Sequence, residues 1–277
     1  MIMEETIAIV ACSSLRPTIE SIDPTVKVEY IPHELHESPI DPGDENAALD
    51  QVQSAIDLLS KPHRPYIGLA YARSCSSLRK AVSRETPIVA WRAGDCVDAL
   101  CDRPLGRFGE AKQPNTYYLT PGSIEAGIDP YKCYLAYRGE TDQLVESQRA
   151  AGLAPTWHDA NRLSSTAISA GRPGEDLLRS QFEVLVGGYT RVVLLDTGVV
   201  GDPHRAYAHQ IGEFLGELGG RPLEVEVQEA DLTSLEQLIG GGSLDDETVD
   251  IAQPGTPLGD IEPQSTRPHP SPVPSHD

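Results

Sequence analysis

The chain has 277 residues, of which 39% are hydrophobic and 23% are charged. This composition is typical of a globular protein of one or two domains and excludes a small scaffold that depends on disulfides. No apolar run approaches the roughly 18 residues that a membrane span requires, and Glu4 and Glu5 stand where a secretory signal would carry basic residues. We therefore expect an untargeted protein of the cytoplasm.

The net charge is −20, from 42 acidic and 22 basic residues. Repulsion among the excess negative charges destabilises the folded state at ordinary ionic strength. It is screened near 1 M salt, where the Debye length falls to about 3 Å. The charge therefore favours a halophilic cytoplasm, and an acidic surface that docks a basic partner is the alternative. We expect no nucleic-acid partner, because the chain does not supply a basic face for phosphates, and no membrane partner.

Segments rich in Val and Ile alternate with segments of helical apolar spacing. The predicted strands span 6–11, 26–31, 66–70, 87–91, 191–196, 223–228 and 249–252. The predicted helices span 45–59, 130–149, 175–186, 204–216 and 232–239. This alternation indicates an α/β fold with one or two mostly parallel, Rossmann-like sheets covered by helices, and with the site at the carboxyl ends of the strands.

The domain organisation follows from changes in composition. Residues 1–252 are predicted to form the α/β domain, with a further division into sub-lobes of about 1–120 and 121–252. Residues 152–174 are small, polar and aperiodic, and we expect an inserted surface loop there. Residues 253–277 are rich in proline and poor in apolar residues, so burial cannot compensate the entropy of ordering, and we expect a disordered tail.

Three of the five cysteines follow predicted strands. Cys12 follows the first strand directly, and Cys75 and Cys96 each come a few residues after a strand. Because the carboxyl ends of parallel strands share the edge that carries the ligand crevice, these three thiols can converge. Each has small or polar neighbours, as thiolates used as ligands do.

The alternative is three unrelated reduced thiols. No CxxC pair indicates a metal, and the gaps between the three cysteines match no sequence-local zinc finger. Cys101 and Cys133 lie away from the predicted edge, and we assign them to packing.

Several motifs resemble the domain of unknown function 1638 family, over roughly residues 6–255. The most specific is Tyr-Tyr-Leu-Thr-Pro-Gly at 117–122, and the others lie at 11–12, 30–32, 35–36, 68–69, 95–96, 124–125, 129–131 and 195–198. The resemblance implies an α/β fold and three motif cysteines, matched here by Cys12, Cys75 and Cys96. It also implies an association with corrinoid-dependent methyl transfer, as in members from methane-producing archaea.

The sequence departs from the family pattern in two places. Residues 72–76 read Ala-Arg-Ser-Cys-Ser where the family has a Gly-Leu-Cys-Gly-type turn, and residues 94–96 read Gly-Asp-Cys where it has His-Asp-Cys. Both cysteines are retained, whereas an imidazole beside Cys96 is absent.

Three thiolates are soft ligands, which suit zinc, copper(I) or an iron–sulfur cluster rather than magnesium or calcium. A cluster held by three cysteines leaves one iron open to substrate as a Lewis acid. We place a cluster ahead of zinc because no second CxxC and no paired histidine closes a tetrahedral site. His36 is a candidate fourth ligand, and a surface histidine is the alternative.

Polar residues near other predicted strand ends are candidates for a small-molecule pocket. The candidates for catalysis are Asp196, Thr197 and Thr120, with helix capping and a rigid turn as the alternatives. The candidates for substrate binding are Arg73, Tyr118, Thr120, Gly122, Asp196, Thr197 and Gly198.

The sequence thus predicts a metal- or iron–sulfur-binding α/β protein with a small-molecule pocket. A lyase, a hydratase or an enzyme associated with methyl transfer fits this description, and whether the protein is an enzyme stays open. The alternative is a metal-free ligand-binding or accessory module with structurally inert cysteines.

Overall fold

The structure is a computed structural model that describes residues 6–32, 47–72, 75, 80–101, 113–126, 131, 135, 183, 187–241 and 249–260. Two predictions, the inserted loop at 152–174 and the tail beyond residue 260, lie outside the described residues. The predicted helices at 130–149 and 175–186 lie almost wholly outside them.

The described strands and helices alternate over most of the chain. The strands are β1 (Ala8–Cys12), β2 (Lys27–Ile31), β3 (Ile67–Ala70), β4 (Ile88–Trp91), β5 (Thr116–Leu119), β6 (Arg191–Asp196), β7 (Glu224–Glu229) and β8 (Val249–Ala252). The helices are α1 (Arg16–Ile22), α2 (Ala47–Leu59), α3 (Pro121–Ala126), α4 (Asp202–Gly219) and α5 (Thr233–Gly240). Short 3-10 helices span Ser13–Leu15, Asp98–Leu100 and Leu258–Asp260.

The first sheet has the order β2-β1-β3-β4-β8, in which β8 is antiparallel and the other strands are parallel. The chain passes from β1 to β2 on one side, whereas β3 lies on the other side of β1. Ile19 of α1 and Ile56 of α2 belong to different apolar clusters, on what we call the α1 face and the α2 face of this sheet. This topology creates a switch point between β1 and β3, outside whose carboxyl ends ligands bind in such sheets.

The second sheet is parallel and has the order β5-β6-β7. Its central strand, β6, has four consecutive buried residues, as expected for a parallel strand covered on both faces. Val192 and Leu194 pack under α4. Val193 and Leu195 point the other way, into the apolar cluster on the α1 face of the first sheet. The two sheets therefore share a core.

The predicted α/β fold with mostly parallel strands is confirmed. Helices α1 and α3 were not predicted, because seven and six residues are too few to display a helical period. The two sheets do not separate at residue 120, since β5 precedes that residue and β8 returns to the first sheet.

The structure differs from the predicted disordered tail at residues 253–260. The N–H group of Gly255 donates a hydrogen bond of 2.8 Å to the carbonyl oxygen of Ser83. Leu258 is only 4% exposed and packs on the α2 face of the first sheet. This single apolar side chain anchors the segment, which the proline-rich composition did not indicate. Within the described residues, no helix is long and apolar enough to cross a bilayer.

Candidate functional site

Cys12 is the last residue of β1 and is 1% exposed. The chain turns at once into the 3-10 helix Ser13–Leu15, so that the hydroxyl of Ser14 donates a hydrogen bond of 3.0 Å to Sγ of Cys12. The cysteine packs on the α2 face, beside the switch point between β1 and β3. The first predicted thiol therefore lies at the predicted edge of the sheet.

The backbone of Ala72 links the other two cysteines. The N–H group of Cys75 donates a hydrogen bond of 3.1 Å to the carbonyl oxygen of Ala72. The N–H group of Ala72 in turn donates to the Cys96 sulfur, which favours the thiolate. Because Ala72 lies two residues beyond the end of β3, both segments meet at the carboxyl edge of the first sheet.

Cys96 is held in a turn between β4 and the 3-10 helix that follows. The N–H group of Asp98 donates to Oδ1 of Asp95 at 2.8 Å, and the N–H group of Asp95 donates to Oδ2 of Asp98 at 3.2 Å. Gly94 makes room for this arrangement, since a Cβ atom there would lie 2.6 Å from Oδ2 of Asp98. The reciprocal bonds resemble a capping box and define the backbone position of Cys96.

The three thiols influence one another electrostatically. Burial raises the pKa of Cys96 well above its usual value, and the charges of ionised Cys12 and Cys75, and then of Asp95, raise it further. Cys75, like Cys12, packs against the apolar cluster on the α2 face, whereas Cys96 packs against the apolar cluster on the α1 face. Among the described residues, no group of three or more His, Cys, Asp or Glu side chains is already arranged to hold a metal ion.

Tyr71 is a residue of this site that the sequence analysis missed. It follows β3 directly, is 3% exposed and packs in the same apolar cluster as Cys12. Burial raises the pKa of its hydroxyl strongly, and the charges of all three thiols act in the same direction. The rule that selected the cysteines, a position just past the end of a strand, would have found Tyr71 as well.

The predicted pocket residues at the end of β6 have defined partners. Oδ1 of Asp196 accepts a hydrogen bond of 2.9 Å from the N–H group of Gly198, whose φ of +86° suits glycine. The Oδ2 atom of Asp196 lies 3.8 Å from the guanidinium group of Arg205, in the first turn of α4. Thr197 is buried, and its hydroxyl accepts a hydrogen bond of 3.1 Å from the hydroxyl of Thr18.

The predicted pocket residues after β5 mostly build the start of α3. The hydroxyl of Thr120 accepts a hydrogen bond of 3.0 Å from the N–H group of Ser123, as the N-cap of a helix does. The hydroxyl of Tyr118 accepts one of 2.8 Å from the N–H group of Gln113, which precedes β5. The Tyr118 hydroxyl is therefore directed towards the amino end of its strand, and the structure does not bring it to the carboxyl edge.

Gly122 lies at the contact between the carboxyl edges of the two sheets. A Cβ atom at this position would overlap the backbone carbonyl group of Ser14. Together with the bond between Thr18 and Thr197, this contact joins the segments that follow β1, β5 and β6. The carboxyl ends of both sheets therefore meet beside Cys12.

His204 and Glu125 form a second polar pair that the sequence analysis did not single out. Nδ1 of His204 accepts a hydrogen bond of 3.0 Å from the N–H group of Gly201, so the ring proton of the neutral form lies on Nε2. Nε2 lies 3.1 Å from Oε1 of Glu125. The pair links α4 to α3 at the carboxyl edge of the second sheet.

Three further predictions concern residues outside the described ones, namely Arg73, His36 and Cys133. Cys101, which was assigned to packing, is buried in the apolar cluster on the α1 face.

The family described as "Protein of unknown function (DUF1638)" matches residues 46–239. The chain belongs to the DUF1638 family. The resemblance predicted from the motifs is confirmed. The match to the DUF1638 family includes Cys75 and Cys96, whereas Cys12 precedes the matched residues. Neither the curated proteins nor the solved structures include a significant match to this chain.

Proposed function

We propose that this protein binds a soft metal ion or an iron–sulfur cluster through Cys12, Cys75 and Cys96, next to a small-molecule pocket. The observation that carries the proposal is the backbone of Ala72, which is bonded to both Cys75 and Cys96 at the carboxyl edge of the first sheet. Cys12 ends the neighbouring strand at the same edge. On this proposal three separate segments would each supply one thiol to the same ligand.

The chemistry of the donors favours a thiophilic metal. Thiolates select zinc, copper(I) and iron–sulfur clusters, and three protein ligands leave one coordination position to act as a Lewis acid on a bound substrate. A lyase or hydratase is the activity class that this arrangement favours, and the family resemblance adds a role associated with methyl transfer. Because the described side chains do not already surround a metal position, the proposal includes a rearrangement of the thiols on binding.

The pocket is proposed to lie where the two sheets meet. Asp196 ends β6, and Thr120 and Gly122 follow β5 in the second sheet. Gly122 contacts the 3-10 helix that follows Cys12. A substrate held between these segments would lie beside the thiols. The ring of His204, hydrogen-bonded at Nδ1 and facing Glu125 at Nε2, is a further polar group at the carboxyl edge of the second sheet.

We further propose a cytoplasmic location in a halophilic cell. The supporting observation is the net charge of −20, which high salt would screen.

A metal-free ligand-binding module is the competing proposal. The observation in its favour is Cys12, whose sulfur is nearly inaccessible and already accepts a hydrogen bond from Ser14. Packing cysteines behave in this way. On this proposal the variants Cys12→Ser and Cys96→Ser would bind the same small molecule as the wild type.

Elemental analysis after purification without oxygen is the experiment that tests the proposed site. We expect zinc, copper or iron in the wild type, and visible absorption after reconstitution with iron and sulfide if a cluster is the natural guest. The variant Cys75→Ser is expected to lose the metal. Cys101→Ser is the matched control, because it removes a buried thiol that is not one of the three proposed ligands.

Two results would overturn the proposal. One is a wild type without bound metal that takes up neither zinc, copper(I) nor iron and sulfide. The other is equal metal content in the wild type, Cys75→Ser and Cys101→Ser, since the metal would then be held elsewhere.

A further inference from the structure

Tyr71 and Cys12 lie side by side at the carboxyl edge of the first sheet. The last paired residues of β1 and β3 are Ala11 and Ala70, so Cys12 and Tyr71 come next on adjacent parallel strands. Neighbouring strands lie about 4.8 Å apart. Both side chains belong to the apolar cluster on the α2 face, so they point to the same side of the sheet.

The residue after Tyr71 ties this position to the other two cysteines. Ala72 accepts a hydrogen bond from the backbone of Cys75 and donates one to the sulfur of Cys96. Tyr71 thus lies beside Cys12 on the neighbouring strand. It also directly precedes Ala72, whose backbone groups bond to Cys75 and Cys96. The charges of all three thiols act on its hydroxyl group.

A buried phenol beside thiolates has a specific chemical use. It carries one O–H donor, and hydrogen bonds to charged acceptors are stronger than those between neutral groups. Donors near a metal-bound thiolate orient the ligand and alter the electron density on sulfur, which tunes the affinity and the spectrum of the metal. The aromatic ring also limits the access of water to the sulfur atoms.

We propose that the hydroxyl group of Tyr71 donates a hydrogen bond to a thiolate of the Cys12, Cys75 and Cys96 site when that site holds a soft metal ion. This inference rests on the function proposed above. It assigns to Tyr71 a positioning and tuning role rather than that of a ligand.

Replacement of single hydroxyl groups at the two ends of β3 tests this role. Tyr71→Phe removes the hydroxyl at the carboxyl end and keeps the ring. Tyr66→Phe is the matched control at the amino end, where a buried tyrosine hydroxyl donates to the carbonyl oxygen of Leu238 at 2.8 Å. Both variants and the wild type are titrated with cobalt(II) without oxygen, followed by near-ultraviolet absorption and by competition with zinc.

We expect a sulfur-to-cobalt charge-transfer band in the wild type. In Tyr71→Phe the band moves to longer wavelength, because a thiolate without the donor is easier to oxidise, and zinc affinity falls about tenfold. The stoichiometry stays the same, which distinguishes a tuning residue from a ligand. Tyr66→Phe is expected to keep the wild-type band and affinity and to melt at a lower temperature.

A wild-type band and affinity in Tyr71→Phe would overturn the role of Tyr71 and leave the metal site standing. A wild type without any charge-transfer band would also overturn the role of Tyr71, whereas the metal site itself is decided separately by elemental analysis and reconstitution. If Tyr71→Phe fails to fold, incorporation of 3-fluorotyrosine into the wild type and into Tyr66→Phe decides the matter. Fluorination makes the phenol a stronger donor, so the band moves to shorter wavelength in both proteins, and an unchanged band would overturn the role.

Discussion

The hydroxyl of Thr18 in α1 donates a hydrogen bond of 3.1 Å to the hydroxyl of Thr197, which follows β6. Both side chains are buried, and the two residues are separated by 179 positions in the chain. The bond connects α1, the helix that follows Cys12 and β1, to the carboxyl end of the second sheet. It therefore contributes to holding together the two walls of the proposed pocket.

This bond predicts a coupling between the two threonines. Thr18→Val and Thr197→Val should each lower the free energy of unfolding by about 1–3 kcal/mol, because each leaves a buried hydroxyl without its partner. The double variant should lose less than the sum of the single losses, since both hydroxyl groups are then gone. Denaturation by urea measures all four proteins, and strictly additive losses would contradict the coupling.

Gly122 should be intolerant of any side chain. Gly122→Ala places a methyl group in the position of the Ser14 carbonyl group, and since backbone cannot swing aside as a long side chain does, we expect a loss of about 3 kcal/mol or more. Gly219→Ala is the control. A Cβ atom at Gly219, the last residue of α4, would meet no atom within 4 Å, so this variant should be neutral or more stable by up to about 1 kcal/mol. Equal melting temperatures of the two variants would refute the close contact.

Alkaline pH should destabilise the protein in part through Tyr66. Burial raises the pKa of Tyr66 to about 12, whereas a tyrosine in the unfolded chain has a pKa of about 10. Between these values the unfolded chain loses a proton that the folded chain keeps, so the stabilisation is complete below about pH 10 and is lost as pH rises through about 12. The loss is at most roughly 2.7 kcal/mol, the equivalent of a hundredfold difference in proton affinity.

The alkaline effect is measured by unfolding in urea from pH 9 to 12. Tyr66→Phe should start at lower stability, because it lacks the bond to Leu238, and should show a smaller decline with pH than the wild type. An identical decline in both proteins would mean that other groups cause it.

Salt should stabilise the folded protein. The net charge is −20, and the excess negative side chains repel one another most strongly in the compact state. Added ions screen this repulsion. We expect the melting temperature to rise steeply up to about 1 M potassium chloride, where the Debye length is about 3 Å. An uncharged solute at equal osmolality is the control, and a melting temperature that does not respond to salt would contradict the electrostatic origin.

The sequence was sufficient for the elements whose pattern is local. The strands from β1 to β4 and from β6 to β8 were predicted to within two residues at each end, because runs of Val and Ile are visible without knowledge of the fold. The position of Cys12 at the end of β1 follows from the same pattern. Membership of the DUF1638 family was recognisable from the motif at 117–122.

The sequence was not sufficient for features that depend on the order of strands in the sheets. β8 returns to β4 as an antiparallel neighbour, and Leu258 then anchors a proline-rich segment that composition had assigned to disorder. The role of Thr197 as the partner of Thr18 was likewise unpredictable, since either threonine by itself is an ordinary polar residue.

By itself, the amino-acid sequence determined that the chain forms mostly parallel strands covered by helices and that several thiols follow strand ends. Both depend on residues a few positions apart, which interact whatever the rest of the chain does. Only the tertiary structure decided that Tyr71 stands beside Cys12 and that Gly122 contacts Ser14. These relationships depend on which distant segments pack together, and that is settled by the burial of the whole core at once.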